Sequence, residues 1–442
     1  MTSTLRDIGA LHRRYVLTPW SAQAMLDMPS IERGEGSYLY DVDGKRYLDL
    51  SAGLVAVNLG HAHPIVVRAI AEQAARLCYA SPQFFNATRA RYAERLSSYA
   101  PWKEGARSFF TTGGGEANED AVKMSRTITG RHKVLTAYRS FHGSAPGAGT
   151  LTGENRRWPN EPGIPGVIHF FAPNLYSSPF DTRDPKVEID RAIAHLELVL
   201  TYENPSSVAA LLIEPVVGTN GAIPLPVEYL QRVREICTRH DIVLIFDEVM
   251  CGFGRTGASF AAVRFGVEPD MITFAKAATS AYVPLGGALV RESLAQHFDT
   301  RPLPCGHTYS GHPLAIAAAN AALDAYEAEG LFERAREIEG WIREELAAVA
   351  QRAPVVGDMR GVGAFWSVEL VKDRETHEPI VPWQGPNPGP MGQILARLRE
   401  RGVYAFGRYN VILITPPLTI ARDELHEGIR ALGDVLEHVQ CE

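Results

Sequence analysis

Apolar and polar positions change period several times along the chain. In GSYLYDVDGKRYLDLSAG, two alternating stretches flank Asp43-Gly44, which predicts a β-hairpin closed by a tight turn. From HPIVVRAIAEQAARLC onward the period lengthens to that of amphipathic helices, broken by the short β-rich runs KVLTAY, GVIHFF, VAALLIEPVV, DIVLIFDEV and DMITFA. Helix and strand in alternation predict a parallel sheet wrapped by helices. The run Ile242 to Phe246 is continuously apolar, as a strand buried on both faces is, and it ends on Asp247-Glu248, whose charges must find partners or a ligand. Carboxyl ends of such strands are where α/β folds place their sites. After the long helical stretch GHPLAIAAANAALDAYEAEGLFERAREIEGWIREELAAVAQ come GVGAFWSVELV, a Pro/Gly-rich loop VPWQGPNPGP, a helix from about Gly392, a short strand NVILITPPL and a last helix. That order predicts a smaller α+β domain shared with the N-terminal hairpin.

Length and composition set the frame for this pattern. A chain of 442 residues exceeds what one core usually holds, so two or more packed units are expected. With 45% hydrophobic and 21% charged residues it has a globular composition, and a formal charge of −7 argues against a nucleic-acid or anionic-membrane surface. The start MTSTLRDIGALHRRYVLTPW lacks an apolar signal region, and no apolar run approaches the roughly 18 residues of a bilayer span, so a cytoplasmic protein is expected. Cys78, Cys237, Cys251, Cys305 and Cys441 are scattered and form no C-x-x-C pair, which predicts reduced thiols and no zinc site.

The candidate chemistry begins with a lysine. Only seven of the 44 basic residues are lysines, and Lys276, in FAKAATSAYVPLGG, alone follows an apolar strand. Desolvation there would lower its pKa and expose a nucleophilic amine suited to Schiff-base formation; a snorkelling surface lysine is the other reading. Asp247 ends the preceding buried strand, one loop–helix–strand unit earlier. A carboxylate facing a pyridinium nitrogen and a lysine facing an aldehyde carbon are the two groups that pyridoxal phosphate chemistry requires, and an Asp247–Lys276 ion pair without cofactor is the alternative. Gly113-Gly114-Gly115 precede an amphipathic helix with apolar Ala117, Ala121, Met124 and Ile128, closed by Gly130. Free N–H groups at its start would bind a phosphate. GFGRTG, Gly252 to Gly257, matches a dinucleotide-binding pattern, so an oxidoreductase is the rival, but Asp247 to Cys251 separate it from the strand where the glycines should begin. GGGEAN does not continue into a P-loop. His61 and His63 lack a clustered carboxylate or cysteine, so no metal is expected. In SFHG, Phe141, next to His142, could stack on a pyridine ring.

The segments YLYDVDGKRYLDLSAG, GHAHP, GGGEANEDAVK, FHG, IEPVVG, FDEVMCGFGRTG, FAKAATSAYVPLGG, HTYSGHP and RGVGAFW together resemble the class III aminotransferases, which depend on pyridoxal phosphate and have fold type I. GGGEANE and NVILITPPL look most like the branch acting on ω-amino donors, including taurine-like and β-alanine-like aminotransferases. The resemblance implies an α/β large domain, residues 61–329, with a mostly parallel seven-stranded sheet. It also implies a smaller α+β domain built from both ends of the chain, 1–60 and 330–442. By the same resemblance Lys276 binds the cofactor and moves the proton, Asp247 pairs with the ring nitrogen, and Val249 packs on the ring face opposite Phe141. His142 and Glu214 line the cofactor site, and Gly114 and Gly115 hold the phosphate through backbone N–H groups. Thr308 reaches the phosphate of a neighbouring subunit, which makes a homodimer the minimum active form and leaves a tetramer open. The implied reaction is ping-pong transfer from a primary amine, ω-amino acid or arylalkylamine to a 2-oxo acid such as pyruvate. Trp20, Val55, Phe84 and Phe85 would shape the donor pocket, partly across the dimer, and Arg408 would bind the acceptor carboxylate and swing away for an uncharged donor. An aminomutase, racemase or decarboxylase of the same fold is the nearest alternative. Many family members have Ser-Gly-Ser at Gly113-Gly114-Gly115, Lys-Gly at Lys276-Ala277 and Ser-Gly-Tyr at Ser280-Ala281-Tyr282.

Overall fold

In the computed structural model, which describes residues 8–383 and 389–439, seven strands form one sheet. Across it the order is Ala106–Thr111, Gly286–Arg291, Met271–Phe274, Val243–Asp247, Val208–Ile213, Lys133–Ala137 and Val167–Phe170. Only Gly286–Arg291 runs antiparallel to its neighbours, so the sheet is mostly parallel. Every residue of the two central strands Val208–Ile213 and Val243–Asp247 is buried, which is why their sequences are continuously apolar up to the terminal aspartate.

The residue pattern named five of these strands and passed over the other two. One opens with Gly286-Gly287, a pair that reads as a turn. Its glycines are required by close packing: a Cβ on Gly286 would stand 2.6 Å from the Gly113 carbonyl oxygen, and one on Gly287 2.5 Å from that of Phe109.

Helices cover the sheet. Val227–Arg239 buries Tyr229, Leu230, Val233, Ile236 and Cys237 against it. Pro313–Ala328 is buried along most of its length and packs on Pro64–Arg76 and Ala87–Tyr99. The 22-residue helix Leu331–Arg352 then leads to the smaller domain and packs on Arg422–Leu436.

The smaller domain joins both ends of the chain. Strands Ile31–Glu35, Tyr38–Asp41 and Arg46–Asp49 form antiparallel pairs, the hairpin around Asp43-Gly44 among them, and Val403–Tyr404 adds to Arg46–Asp49 in parallel. A second antiparallel sheet has the order Val356–Val362, Phe365–Leu370, Val411–Ile414, Phe406–Arg408. The stretch GVGAFWSVELV is therefore a hairpin rather than one element. It reverses at Gly363 (φ +60°), where a Cβ would stand 2.5 Å from the Arg255 carbonyl oxygen. The helix expected from Gly392 begins at Pro390, whose ring suits the first helical turn. Residues 1–7, residues 384–388 of the Pro/Gly-rich loop and Cys441 lie outside the described residues. Cys78, Cys237, Cys251 and Cys305 carry free thiols, and no helix among the described residues is long and apolar enough to cross a membrane.

Candidate active site

Lys276 follows strand Met271–Phe274 and starts a single 3₁₀ turn, Lys276–Ala278. It shares a cavity of about 370 Å3 with Asp247, the last residue of the neighbouring strand. Burial pulls the Lys276 pKa below the ordinary lysine value, and the carboxylates Asp247 and Glu214 oppose that shift. The loop carrying the amine is conformationally costly: Lys276, Ser280 and Ala281 have φ of +42°, +52° and +60°. Tertiary contacts hold it there. Tyr326 donates its hydroxyl to the Ala277 carbonyl at 2.9 Å, Leu59 N donates to Ser280 Oγ at 2.9 Å, and Ala281 N donates to Lys276 O at 3.1 Å.

Asp247 is buried and held from three sides. Val249 N donates to Oδ1 at 3.0 Å, while Asn118 Nδ2 donates to Oδ2 at 2.7 Å and His142 Nδ1 lies 2.7 Å from the same oxygen. Asn118 cannot turn over, because its Oδ1 accepts from the Thr273 hydroxyl at 2.6 Å and its amide also donates to His142 O at 2.9 Å. His142 Nε2 lies 3.1 Å from Thr136 Oγ1, a hydroxyl that donates to Leu151 O. Asn118, absent from the sequence reading, therefore orients the carboxylate as firmly as His142 does. Glu214 closes the same edge: it accepts from Phe141 N at 2.9 Å and Gly218 N at 2.8 Å, and burial pushes its pKa up to about 7.

The glycine run lines the same cavity. Gly113 is extended and contributes no side-chain cap to the helix Gly114–Thr129, whose first N–H groups have no intrahelical backbone acceptor, and Gly113, Gly114 and Gly115 line the cavity. Val249 packs so closely on the run that a Cβ at Gly114 would stand 2.7 Å from its Cγ2. Gly114, Gly115, Phe141, His142, Glu214, Asp247, Val249 and Lys276 all line this one cavity. A carboxylate, a desolvated amine, the apolar Val249 and Phe141 on the same cavity wall, and a bare helix N-terminus are a donor set that fits pyridoxal phosphate.

A second, outer cavity of about 540 Å3 shares Lys276 and Phe141 with the first and is lined also by Trp20, Val55 and Arg408. Trp20 meets Phe141 edge-on, with ring centroids 6.2 Å apart. Arg408 does not hang free: its Nη2 donates to Glu154 at 2.7 Å, Asn155 at 2.9 Å and the Tyr409 hydroxyl at 3.1 Å. Arg156, also absent from the sequence reading, lies 3.6 Å above the Phe141 ring centre and pairs with Glu154 as well. Phe84, Phe85 and Thr308 are exposed and line neither cavity of their own chain.

The two rival motifs take structural roles. GFGRTG forms a turn that ends before the helix Ala261–Phe265, so its glycines do not sit at a strand-to-helix junction. Its Arg255 is buried and donates to the carbonyls of Ala364 and Pro416. His61 pairs with Asp49 at 3.0 Å and His63 with Glu329 at 2.8 Å. Among the described residues no cluster of three or more metal-ligating side chains occurs.

Comparison with known proteins agrees with this chemistry. The family model "Aminotransferase class-III" matches residues 21–436. A protein of Mycobacterium tuberculosis named as a probable aminotransferase is 37% identical over 427 residues, covering 93% of this chain and 90% of its own length. Among solved structures, taurine:2-oxoglutarate aminotransferase from Bifidobacterium kashiwanohense, in complex with PLP and glutamate, superposes with a TM-score of 0.94 at 41% identity, covering 98% of this chain and 97% of that one. An amine transaminase from an uncultivated Pseudomonas species, also PLP-bound, gives a TM-score of 0.91 at 34% identity, covering 96% and 98%. With this match along nearly its whole length, the chain belongs to the class III aminotransferases, pyridoxal-phosphate enzymes of fold type I that transfer an amino group between a small-molecule amine and a keto acid.

Proposed function

We propose that the protein is an ω-aminotransferase, which takes the amino group of a primary amine or ω-amino acid of the taurine, β-alanine or arylalkylamine type and gives it to a 2-oxo acid such as pyruvate in alternating half-reactions. The observation that carries the reading is the convergence of Lys276, Asp247 and an uncapped helix N-terminus in one cavity that opens into a second, substrate-sized one. The likeness to a taurine aminotransferase and an amine transaminase supports the same branch.

Pyridoxal phosphate, when bound, supplies an electrophilic carbon and a sink for the electron pair left when a proton leaves the substrate's amine-bearing carbon. The protein's groups do the rest. Lys276, its pKa lowered by burial, is the amine that would hold the cofactor and, when freed, could take and return the proton. Asp247, fixed by Asn118 and His142, would face the ring nitrogen and favour its protonated form. Gly114 and Gly115 would hold the phosphate through N–H groups, and Val249 and Phe141 would flank the ring. Trp20 and Val55 shape the donor side, and Arg408 receives an acceptor carboxylate. Thr308, exposed with Phe84 and Phe85, serves the site of a second copy, so the active form is a homodimer; the free thiols fit a cytoplasmic protein.

The test is a donor panel of taurine, β-alanine, a diamine and 1-phenylethylamine, each assayed with pyruvate and with 2-oxoglutarate for the amino acid formed. Amino transfer from at least one ω-amino or primary amine donor is expected. Absence of transfer in every pairing refutes the reading in favour of racemase, aminomutase or decarboxylase chemistry.

A further inference from the structure

One arginine holds the two surface segments that the proposed function assigns to a second copy's site. Phe84 and Phe85 stand 68% and 107% exposed, and Thr308 is exposed as well, so packing of their own side chains does little to place them. Their backbones are placed instead. Arg89, in the first turn of the helix Ala87–Tyr99, donates from Nη1 to the carbonyls of Pro82 at 2.9 Å and Phe84 at 3.2 Å, and from Nε to that of Gly311 at 3.1 Å. Arg89 and Gly311 lie 222 positions apart in the chain, so the guanidinium bridges segments that are remote in sequence.

The surroundings are shaped to this contact. Gly311 has φ +59°, and a Cβ there would stand 2.4 Å from Arg89 Nε, so glycine is what lets the two come this close. The Asn86 side chain caps the helix by accepting from Arg89 N at 3.1 Å. Burial pulls the Arg89 pKa below the usual arginine value and no carboxylate opposes the shift, while Nη2 is buried without an acceptor among the described residues. A guanidinium held on three carbonyls with no counter-charge costs free energy that an apolar side chain in its place would not. What it supplies is geometry: a rigid fork whose edges reach two loops at once, which an ammonium on a flexible stem does not.

The two loops depend on Arg89 unequally. Ser310 N donates to His307 O at 3.1 Å, which makes Thr308 the second residue of a tight turn. That turn has two other fasteners. His307 Nε2 meets the buried Asp120 on the helix that begins at Gly114, and the Tyr79 hydroxyl donates to Thr308 O at 3.0 Å. In the other segment Phe84 N donates to Ser81 O at 3.0 Å, within the loop itself, and among the described residues Arg89 alone bonds the carbonyls of Pro82 and Phe84.

We propose that Arg89 is a positioning residue that ties the Phe84–Phe85 segment to the Thr308 turn, so that the donor-pocket aromatics and the phosphate contact reach the second copy as one unit. The inference rests on the assignment of Phe84, Phe85 and Thr308 to a second copy's site, and adds what sets their spacing.

The test uses the holoenzyme as wild type, Arg89→Met, which keeps the apolar stem and removes the fork, and Phe84→Ala/Phe85→Ala. Hydrogen exchange read by mass spectrometry follows peptides over residues 81–86 and 305–311. Loss of two charge-assisted hydrogen bonds predicts exchange about tenfold faster over 81–86 in Arg89→Met, and a change under about threefold over 305–311, where Asp120 and Tyr79 still hold the turn. With the most active donor of the panel, KM should rise about tenfold and kcat change little. Adding Arg89→Met to Phe84→Ala/Phe85→Ala should raise KM no further than the aromatic pair does alone, because Arg89 acts through those rings; a residue that only stabilises the fold gives additive losses. Unchanged exchange over 81–86, or additive KM effects, overturns the proposal. If Arg89→Met does not fold, Arg89→Lys, which keeps charge and stem without the fork, decides by the same readings. If Phe84→Ala/Phe85→Ala keeps its KM, or no donor is transaminated, the donor-pocket reading falls, and the exchange result alone upholds or overturns the tie made by Arg89.

Discussion

Replacing Asp247 by asparagine keeps the shape of the side chain and removes its charge. The amide oxygen can keep Val249 N, now 3.0 Å from Oδ1, and the new NH2 then takes the place of Oδ2, 2.7 Å from both Asn118 Nδ2 and His142 Nδ1. His142 can adapt by presenting an unprotonated Nδ1 while Nε2–H stays on Thr136. Asn118 cannot adapt, because Thr273 and the His142 carbonyl fix which end is its NH2. One buried donor–donor contact should cost about 1–3 kcal/mol of stability. The effect on rate is larger: removing one partner of a buried charge pair costs about 3–5 kcal/mol. At about 1.4 kcal/mol per factor of ten, kcat should fall by between roughly one hundredfold and several thousandfold. Stopped-flow measurement of the donor half-reaction on the cofactor-loaded variant, beside a thermal melt, separates the two effects. A folded variant with kcat within about tenfold of wild type would refute the role given to Asp247.

Other predictions follow from single positions. Ala281 has φ +60°, so Ala281→Gly should relieve about 1 kcal/mol of left-handed strain and leave Tm level or higher. Ala277 is buried without such strain, so Ala277→Gly should lower Tm; equal losses in the two melts would contradict this account. Gly114→Ala puts a methyl 2.7 Å from Val249 Cγ2, so Val249 must give way: the variant should melt somewhat lower without cofactor and retain less pyridoxal phosphate after dialysis, and undiminished retention would count against the phosphate cradle. Glu214 has a folded pKa of about 7, above its unfolded value, so the folded state binds the extra proton and the stabilisation present at pH 4.5 is lost as pH rises to 7. Glu248 is also buried and pushed up to about 7, so denaturant titrations at those two pH values should show a decline in both proteins, steeper in wild type than in Glu214→Gln by up to about 3 kcal/mol; the same pH dependence in both would exclude Glu214 as a source.

What the sequence made legible, and what it hid, follows from how far apart the interacting residues lie. Lys276 and Asp247 stand at the ends of buried apolar strands, where a charge interrupts an otherwise unbroken pattern, and the sheet register then puts Asp247 opposite Thr273. The helix from Gly114 announced itself by glycines, an apolar stripe and a closing Gly130 in the left-handed conformation. Strand Gly286–Arg291 was hidden because the glycines that allow its close approach to Gly113 and Phe109 also read as a turn. Asn118, Glu154 and Arg156 carried no local signal. Asn118 lies on a helix 129 positions before Asp247, and Glu154 lies 254 positions before Arg408, in the stretch GENRRW, whose charges alone read as a solvated loop. Only the folded chain brings such partners into contact. The same holds for Arg408, whose tether to Glu154 could not be foreseen from GRYN.

The central claim is that Lys276 carries the cofactor beside Asp247. Borohydride reduction of the cofactor-loaded protein, followed by peptide mass spectrometry, fixes the cofactor to whichever lysine holds it. The label should fall on the peptide containing Lys276, as a single adduct with the mass of reduced pyridoxal phosphate. A label on another lysine, or no label on any, would contradict the account.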